Sequence, residues 1–140
     1  MRIGFTGTRR GMDSHQKWEV AILVAENKPT EVHHGDCIGA DTDFHEICME
    51  HIPIVIHPSN LKTRAWNYAG VTMEHEPKPP IVRDHDIVDS VDMLIACPAQ
   101  NYEILWSGTW ATIRYARKVG KLVRIIYPGT QSGNGSGRSV

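Results

Sequence analysis

Five short apolar runs alternate with helix-patterned segments along this chain, and that alternation constrains the fold more than any other feature. The runs are RIGFTG, EVHHG, PIVIHP, DMLIACP and KLVRIIYPG. Each is too short for a helix and is bounded by glycine or proline, as buried strands are. Between them, DSHQKWEVAILVAEN reads as a helix capped by Asp13 or Ser14. Its Trp18, Ala21, Ile22 and Ala25 fall at helical spacing, with Val20 and Val24 widening the apolar face. GADTDFHEICMEH reads as a second helix with Phe44, Ile47 and Cys48 on one face, and IVRDHDIVDSV as a third that turns Ile81, Ile87, Val88 and Val91 inward. SGTWATIRYARKVG reads as a fourth, opened by Ser107 and closed by Gly120. Helical crossovers join parallel strands, and a parallel sheet needs helices on both faces. The expected fold is therefore α/β: one Rossmann-like three-layer domain with a parallel sheet of about five strands. Residues 58–80 break the rhythm with a long polar stretch that holds Trp66 and Tyr68 and ends in a proline cluster, a loop of the kind that carries function.

At 140 residues the chain can build one core and not two. The domain is expected to span residues 1–129, with the Gly/Ser-rich TQSGNGSGRSV at 130–140 as a flexible tail. A net charge of -1 creates no global field toward nucleic acid or an acidic membrane. No apolar run approaches the roughly 18 residues of a membrane span. The opening MRIGFTGTRRG reads as an immediate strand and not as a signal peptide. Cys37, Cys48 and Cys97 are odd in number and form no CxxC pair, which argues against a disulfide framework and for a reducing compartment. Cytoplasm is the expected location.

Ligands of open parallel sheets bind beyond the carboxyl ends of the strands, and three polar turns fall there. The first holds Gly7, Thr8, Arg9 and Arg10, where free amides and arginines suit a phosphate. The second is GDCIGAD, where Gly35 ends a strand and Gly39 opens a helix. Asp36 and Asp41 flank that opening, as acceptors for ribose hydroxyls or as helix caps. The third runs from Cys97 to a helix start at Ser107, Gly108 and Thr109, with Glu103 in the loop before it.

Together these turns resemble the SLOG superfamily, the Rossmann-like group that includes DprA (Smf) DNA-processing proteins and LOG cytokinin-activating hydrolases. Gly7-Thr8-Arg9 matches the Gly-Ser/Thr-Arg turn of DprA-like domains. GDCIGADTDFH matches their second-turn segment through Gly35, Gly39, Asp41 and His45, and SGTWATIRYARKVGKLVRIIYPG fits their last helix and strand. The resemblance spans residues 1–129 and is nearest to the small stand-alone members of bacteria and phages. It implies a nucleotide-type ligand and a homodimer paired through helices near the site. One departure matters. LOG hydrolases carry a catalytic glutamate three residues after a Gly-Thr pair, and here Thr112 takes that place.

Rival readings weigh less. His33, His34, Asp36, His45, His57, His85 and Asp86 lack the spacing of a metal motif, and adjacent strand residues His33 and His34 point to opposite faces. Neither a metal nor another cofactor is expected. Cys37 lies near a helix start, but Asp36 and Asp41 oppose a thiolate there. Arg114, Arg117 or Lys118, and Lys121 can form a basic stripe for single-stranded DNA, although cations near a helix C-terminus also suit its dipole. Trp66, Tyr68, Trp106 and Trp110 can stack bases. The favoured function is binding of a nucleotide or nucleotide-derived small molecule as a sensor or sink. Phosphate would meet the first and third turns, ribose Asp36, Asp41 or Glu103, and the base Trp66, Tyr68 or Trp110. The alternative is cleavage or transfer at an N-glycosidic bond, as in phosphoribohydrolases and deoxyribosyltransferases, with Glu103 or, in reserve, Asp41 as the carboxylate.

Overall fold

The computed structural model describes residues 1–61 and 63–129. The element order is β1 (Arg2–Gly7), α1 (Ser14–Asn27), β2 (Glu31–His34), α2 (Ala40–Cys48), β3 (Ile54–Ile56), β4 (Val71–Glu74), α3 (Pro80–Ser90), β5 (Met93–Cys97), α4 (Gly108–Lys118) and β6 (Leu122–Ile125). The strands form one parallel sheet in the order β4-β3-β2-β1-β5-β6. No helix among the described residues is long and apolar enough to cross a membrane. The expected tail at 130–140 lies outside the described residues.

The central strands are buried on both faces, and the side-chain period of two divides them between the layers. Ile3, Phe5, Met93, Ile95 and Cys97 pack with Val20 and Val24 of α1 and Phe44 and Cys48 of α2. Leu94 and Ala96 pack the other way, against Val88 of α3 and Trp110, Ile113 and Ala116 of α4. The result is a three-layer α/β domain.

Six strands replace the expected five. The addition, β4, lies inside the stretch read as a loop. It pairs only with β3 at the sheet edge, and Thr72, Met73 and Glu74 are exposed, so no apolar run marks it.

The apolar face of α1 is rotated from the expected one. Gln16, Val20 and Val24 are buried, while Trp18 is 64% exposed and Ala21 and Ala25 face solvent. The cause is Gln16. Its side-chain amide donates to Pro98 O at 2.9 Å and Ile126 O at 3.0 Å, tying α1 to the ends of β5 and β6. Gln16 also completes a capping box with Asp13: Gln16 N–H donates to Asp13 Oδ1 at 2.8 Å, and Asp13 N–H to Gln16 Oε1 at 3.1 Å. Gln16→Leu leaves both strand-end carbonyls without these donors and opens the cap. A loss of roughly 2–4 kcal/mol is expected, read as a lowered urea midpoint with unchanged slope.

Ile87 and Val88 of α3, and Val91 just after it, are buried as expected, but Ile81 is exposed. It lies in the first turn, beyond the reach of the sheet, next to Pro80 at the helix start.

Candidate functional site

The chain leaves edge strand β4 and returns through α3 to lay β5 beside β1, so the strand order reverses between β1 and β5. A cavity of about 460 Å³ opens at the carboxyl ends of the strands there. Thr6, Gly7, Thr8, Arg9 and Arg10 contribute one part of its wall. Gly35, Cys37 and Asp41 contribute another, and Ile104, Trp106, Ser107, Gly108 and Thr109 a third. The three turns singled out in the sequence thus meet at one cavity.

Contacts between the first two turns shape this wall. Thr8 N–H donates to Cys97 O at 3.0 Å, and Ala40 N–H to Thr8 O at 2.9 Å. Gly39 has φ +93°, and a Cβ there would lie 2.3 Å from Arg9 O. Gly39 therefore lets α2 start against the first turn, and its role is close approach of backbones, outside the cavity lining. At the third turn, Ser107 caps α4 by accepting from Trp110 N–H at 3.3 Å. A Cβ on Gly108 would meet nothing within 4 Å, so the helix start is open.

The second turn divides its two aspartates. Asp41 lines the cavity, and its Oδ2 accepts from Cys37 N–H at 3.1 Å. Burial pushes its carboxyl up from 3.8 to about 6, against the Cys37 N–H and the Arg83 guanidinium. Asp36 is turned away and fully buried. It accepts from Arg64 Nε at 2.7 Å and from Asn67 N–H and Nδ2 at 2.9 and 3.1 Å. Arg64 also pairs with Glu74 of β4 at 3.1 Å. Asp36 is thus a buried anchor for the segment before β4, and a ribose has no access to it.

The two histidines of this turn do point to opposite faces, and each joins a second imidazole. Asp36 N–H donates to His34 Nδ1 at 2.9 Å, so the His34 proton is on Nε2, directed at His45 Nδ1 at 2.8 Å. His45 Nε2–H then donates to Ala69 O at 2.7 Å. On the other face, His33 Nε2–H donates to Glu31 at 2.6 Å, and His33 Nδ1 receives His57 Nε2–H at 2.8 Å. These rings are spent on each other and on the backbone. Burial holds His33 below 6.5, His34 well below it, and His57 down at about 3.

Glu103 lies outside the cavity lining, with its carboxylate on Arg114 Nη1 at 2.7 Å. The expected catalytic position is displaced because Arg114, two turns into α4, draws the loop carboxylate outward. Arg114 Nη2 also holds Leu105 O at 3.0 Å, and Lys121 donates to Val91 O at 2.7 Å. Two members of the basic stripe are therefore engaged within the fold. Trp110 is in the core, and Trp66 lies under the Arg64 guanidinium at 3.9 Å, so neither lines the cavity.

The reading from sequence missed Arg83 and Asp84. Both line the cavity from α3. Arg83 is buried. Its Nη1 donates to Gly35 O at 2.7 Å and His57 O at 3.1 Å, its Nη2 lies 3.5 Å from Cys37 Sγ, and its Nε donates to Asp84 Oδ1 at 2.7 Å. A Cβ on Gly35 would come within 2.4 Å of Nη1, so this glycine makes room for the guanidinium. Burial raises the Asp84 carboxyl above 3.8, against Arg83. A signal was present: Arg83 and Asp84 share the helical face of Ile87, Val88 and Val91, and charges on a buried face need a task. Burial and the Asp41 charge raise the Cys37 thiol above 9.0, against Arg83, the reverse of an activated nucleophile.

Fold and cavity together define a Rossmann-like α/β protein with a cavity of small-molecule size at the carboxyl edge of its sheet. The same fold occurs in DNA processing protein A from Helicobacter pylori, studied for its single-stranded DNA binding mode. The TM-score is 0.64 at 19% identity, over 89% of this chain and 64% of that one, so this chain spans less than two thirds of that chain's length. It occurs in TM1055, a structural genomics target (TM-score 0.63, 13% identity, 87% of this chain and 71% of that one). It also occurs in the molybdenum cofactor binding protein of the phototrophic bacterium Rippkaea orientalis (TM-score 0.60, 15% identity, 91% and 77%). At such identities the likeness is one of fold. No protein-family model and no curated protein matches the sequence.

Proposed function

We propose that the cavity binds a nucleotide or nucleotide-derived small molecule through its phosphate, in a sensing or sequestering role. The carrying observation is that Arg9, Arg10 and the open start of α4 line one cavity. Both arginines are exposed, and among the described residues neither forms an ion pair. Cations without partners beside a helix N-terminus suit an anion. Asp41 and Asp84 supply acceptors for sugar hydroxyls in the same space. A volume of about 460 Å³ is within the range of small-molecule sites. Among proteins of similar fold, one binds single-stranded DNA and another a molybdenum cofactor, which supports ligand binding by this architecture.

The test incubates the protein with nucleoside monophosphates, deoxynucleotides, cyclic dinucleotides and cyclic ADP-riboses, then recovers small molecules after heat denaturation. Depletion followed by intact recovery is expected. No depletion, with a gel shift on oligonucleotides, overturns the reading in favour of single-strand binding. Pairing into a homodimer belongs to the same proposal. It is supported by exposed Ile81, Val82 and Leu105, which flank the cavity-lining Pro80 and Trp106 in the chain. Sedimentation should return twice the 15.7 kDa chain mass.

A second reading, cleavage at an N-glycosidic bond, is favoured by one observation. Burial pushes both cavity carboxyls up, Asp41 to about 6, the direction in which general acid catalysis tunes a carboxyl. Release of free base in the same incubation would establish it. Asp41→Asn separates chemistry from stability. A carboxyl whose folded pKa exceeds its unfolded one costs nothing below 3.8, a growing amount between 3.8 and 6, and the full amount above 6. The variant should therefore gain about 1–3 kcal/mol at pH 7, seen as a higher melting temperature, while any base release is lost.

A further inference from the structure

The proposed phosphate and sugar contacts leave the third part of a nucleotide, its base, without a partner. Two aromatic side chains line the cavity. Phe5 belongs to the core, stacked on Phe44 with ring centroids 4.4 Å apart. Trp106 is 87% exposed, more than any other large apolar side chain among the described residues. An indole left in water on a cavity wall is a large apolar surface available to a ligand.

The backbone around Trp106 is tied on both sides. Ser107 N–H donates to Ile104 O at 3.2 Å, Arg114 grips Glu103 and Leu105 O, and Ile104 packs on the Trp110–Ile113 cluster. The exposed ring therefore stands on a braced turn. It directly precedes Ser107, the N-cap of the helix start assigned to the phosphate.

We infer that Trp106 is the specificity-determining residue of the cavity, stacking the aromatic base of the bound nucleotide. The inference rests on the phosphate-binding reading above and adds which side chain holds the base. Stacking tolerates any base, so it selects nucleotides over sugar phosphates without choosing among them.

Calorimetric titration of the wild type with AMP, GMP, CMP, UMP and ribose 5-phosphate tests this, repeated with Trp106→Ala and Trp106→Phe. Nucleotides should bind the wild type about fivefold or more tighter than ribose 5-phosphate, since one stacked base is worth ~1–3 kcal/mol. Trp106→Ala should reduce nucleotide affinity to that of ribose 5-phosphate and leave the sugar phosphate unchanged. Trp106→Phe should keep most of the difference. The variants should melt with the wild type, because the replaced ring is solvent-exposed. Equal binding of nucleotides and sugar phosphate, or nucleotide affinity unmoved in Trp106→Ala, overturns the stacking and leaves the phosphate reading standing. Failure of all five probes, with no depletion of the deoxynucleotides, cyclic dinucleotides or cyclic ADP-riboses either, overturns the phosphate reading and the stacking with it.

Discussion

Arg83→Ala should destabilise the protein by about 3–5 kcal/mol, the cost of stranding a buried charge. One guanidinium carries four separate contacts: Gly35 O, His57 O, Cys37 Sγ and the Asp84 carboxylate. Gly35 and His57 follow β2 and β3, while Arg83 and Asp84 lie on α3, so the side chain joins the sheet edge to the helix beside the cavity. Removing it leaves two carbonyls without this donor and a partly buried carboxylate, that of Asp84, without its guanidinium. Urea unfolding should show a much lower midpoint. Arg83→Lys should rescue only part of the loss, because an ammonium cannot span the fork of contacts. Arg83→Leu combined with Asp84→Asn should be more stable than Arg83→Leu alone, since the stranded charge is gone. If the double variant is no better, the cost lies in the carbonyls and not in the ion pair.

A steep loss of stability is expected as pH falls below 6.5. Burial depresses His33, His34 and His57, and a depressed folded pKa means stability that is complete above 6.5 and lost as the pH drops toward the folded values. His57 does not protonate in the folded chain until about 3. The unfolded chain therefore takes up protons on these rings more readily than the folded chain does. Asp41 works the other way between 6 and 3.8, holding one proton in the folded state. Asp84, also raised, acts in the same sense as Asp41, and the three depressed rings set the net direction, a fall in stability as the pH falls. Geometry gives the same sign: protonating His34 Nδ1 removes the acceptor of the Asp36 N–H and sets two donors against each other. Urea midpoints at pH 7, 6 and 5 measure the slope. A flat profile would show that the rings protonate without unfolding.

Much of this was legible in advance. Strand runs interrupted by helical periods dictate a parallel sheet, and parallel strands place every strand-to-helix turn at the same edge. Gly7, Arg9, Gly35 and Ser107 could be assigned to one rim on that argument alone. Caps at Asp13 and Ser107 are local chemistry and were readable from neighbours within a few residues. The orientation of side chains within each turn was not. Asp36 and Asp41 flank one helix start and look equivalent in the sequence, but Arg64, 28 residues beyond Asp36, takes the first out of the site. Glu103 is claimed by Arg114 in the same way.

The sequence by itself determined the layer architecture and the edge at which the three turns meet, because both follow from periodicity, and periodicity records which face of each element is buried. Only the tertiary structure decided what the site contains. It brought in Arg83 and Asp84 from α3, turned Asp36 and Glu103 away, and left Trp106 as the exposed aromatic on the wall. It also supplied β4, an edge strand whose exposed residues leave no apolar trace. The physical reason is common to all of these. An ion pair or a hydrogen bond across many residues leaves no local pattern, so its partners are settled only when the layers pack.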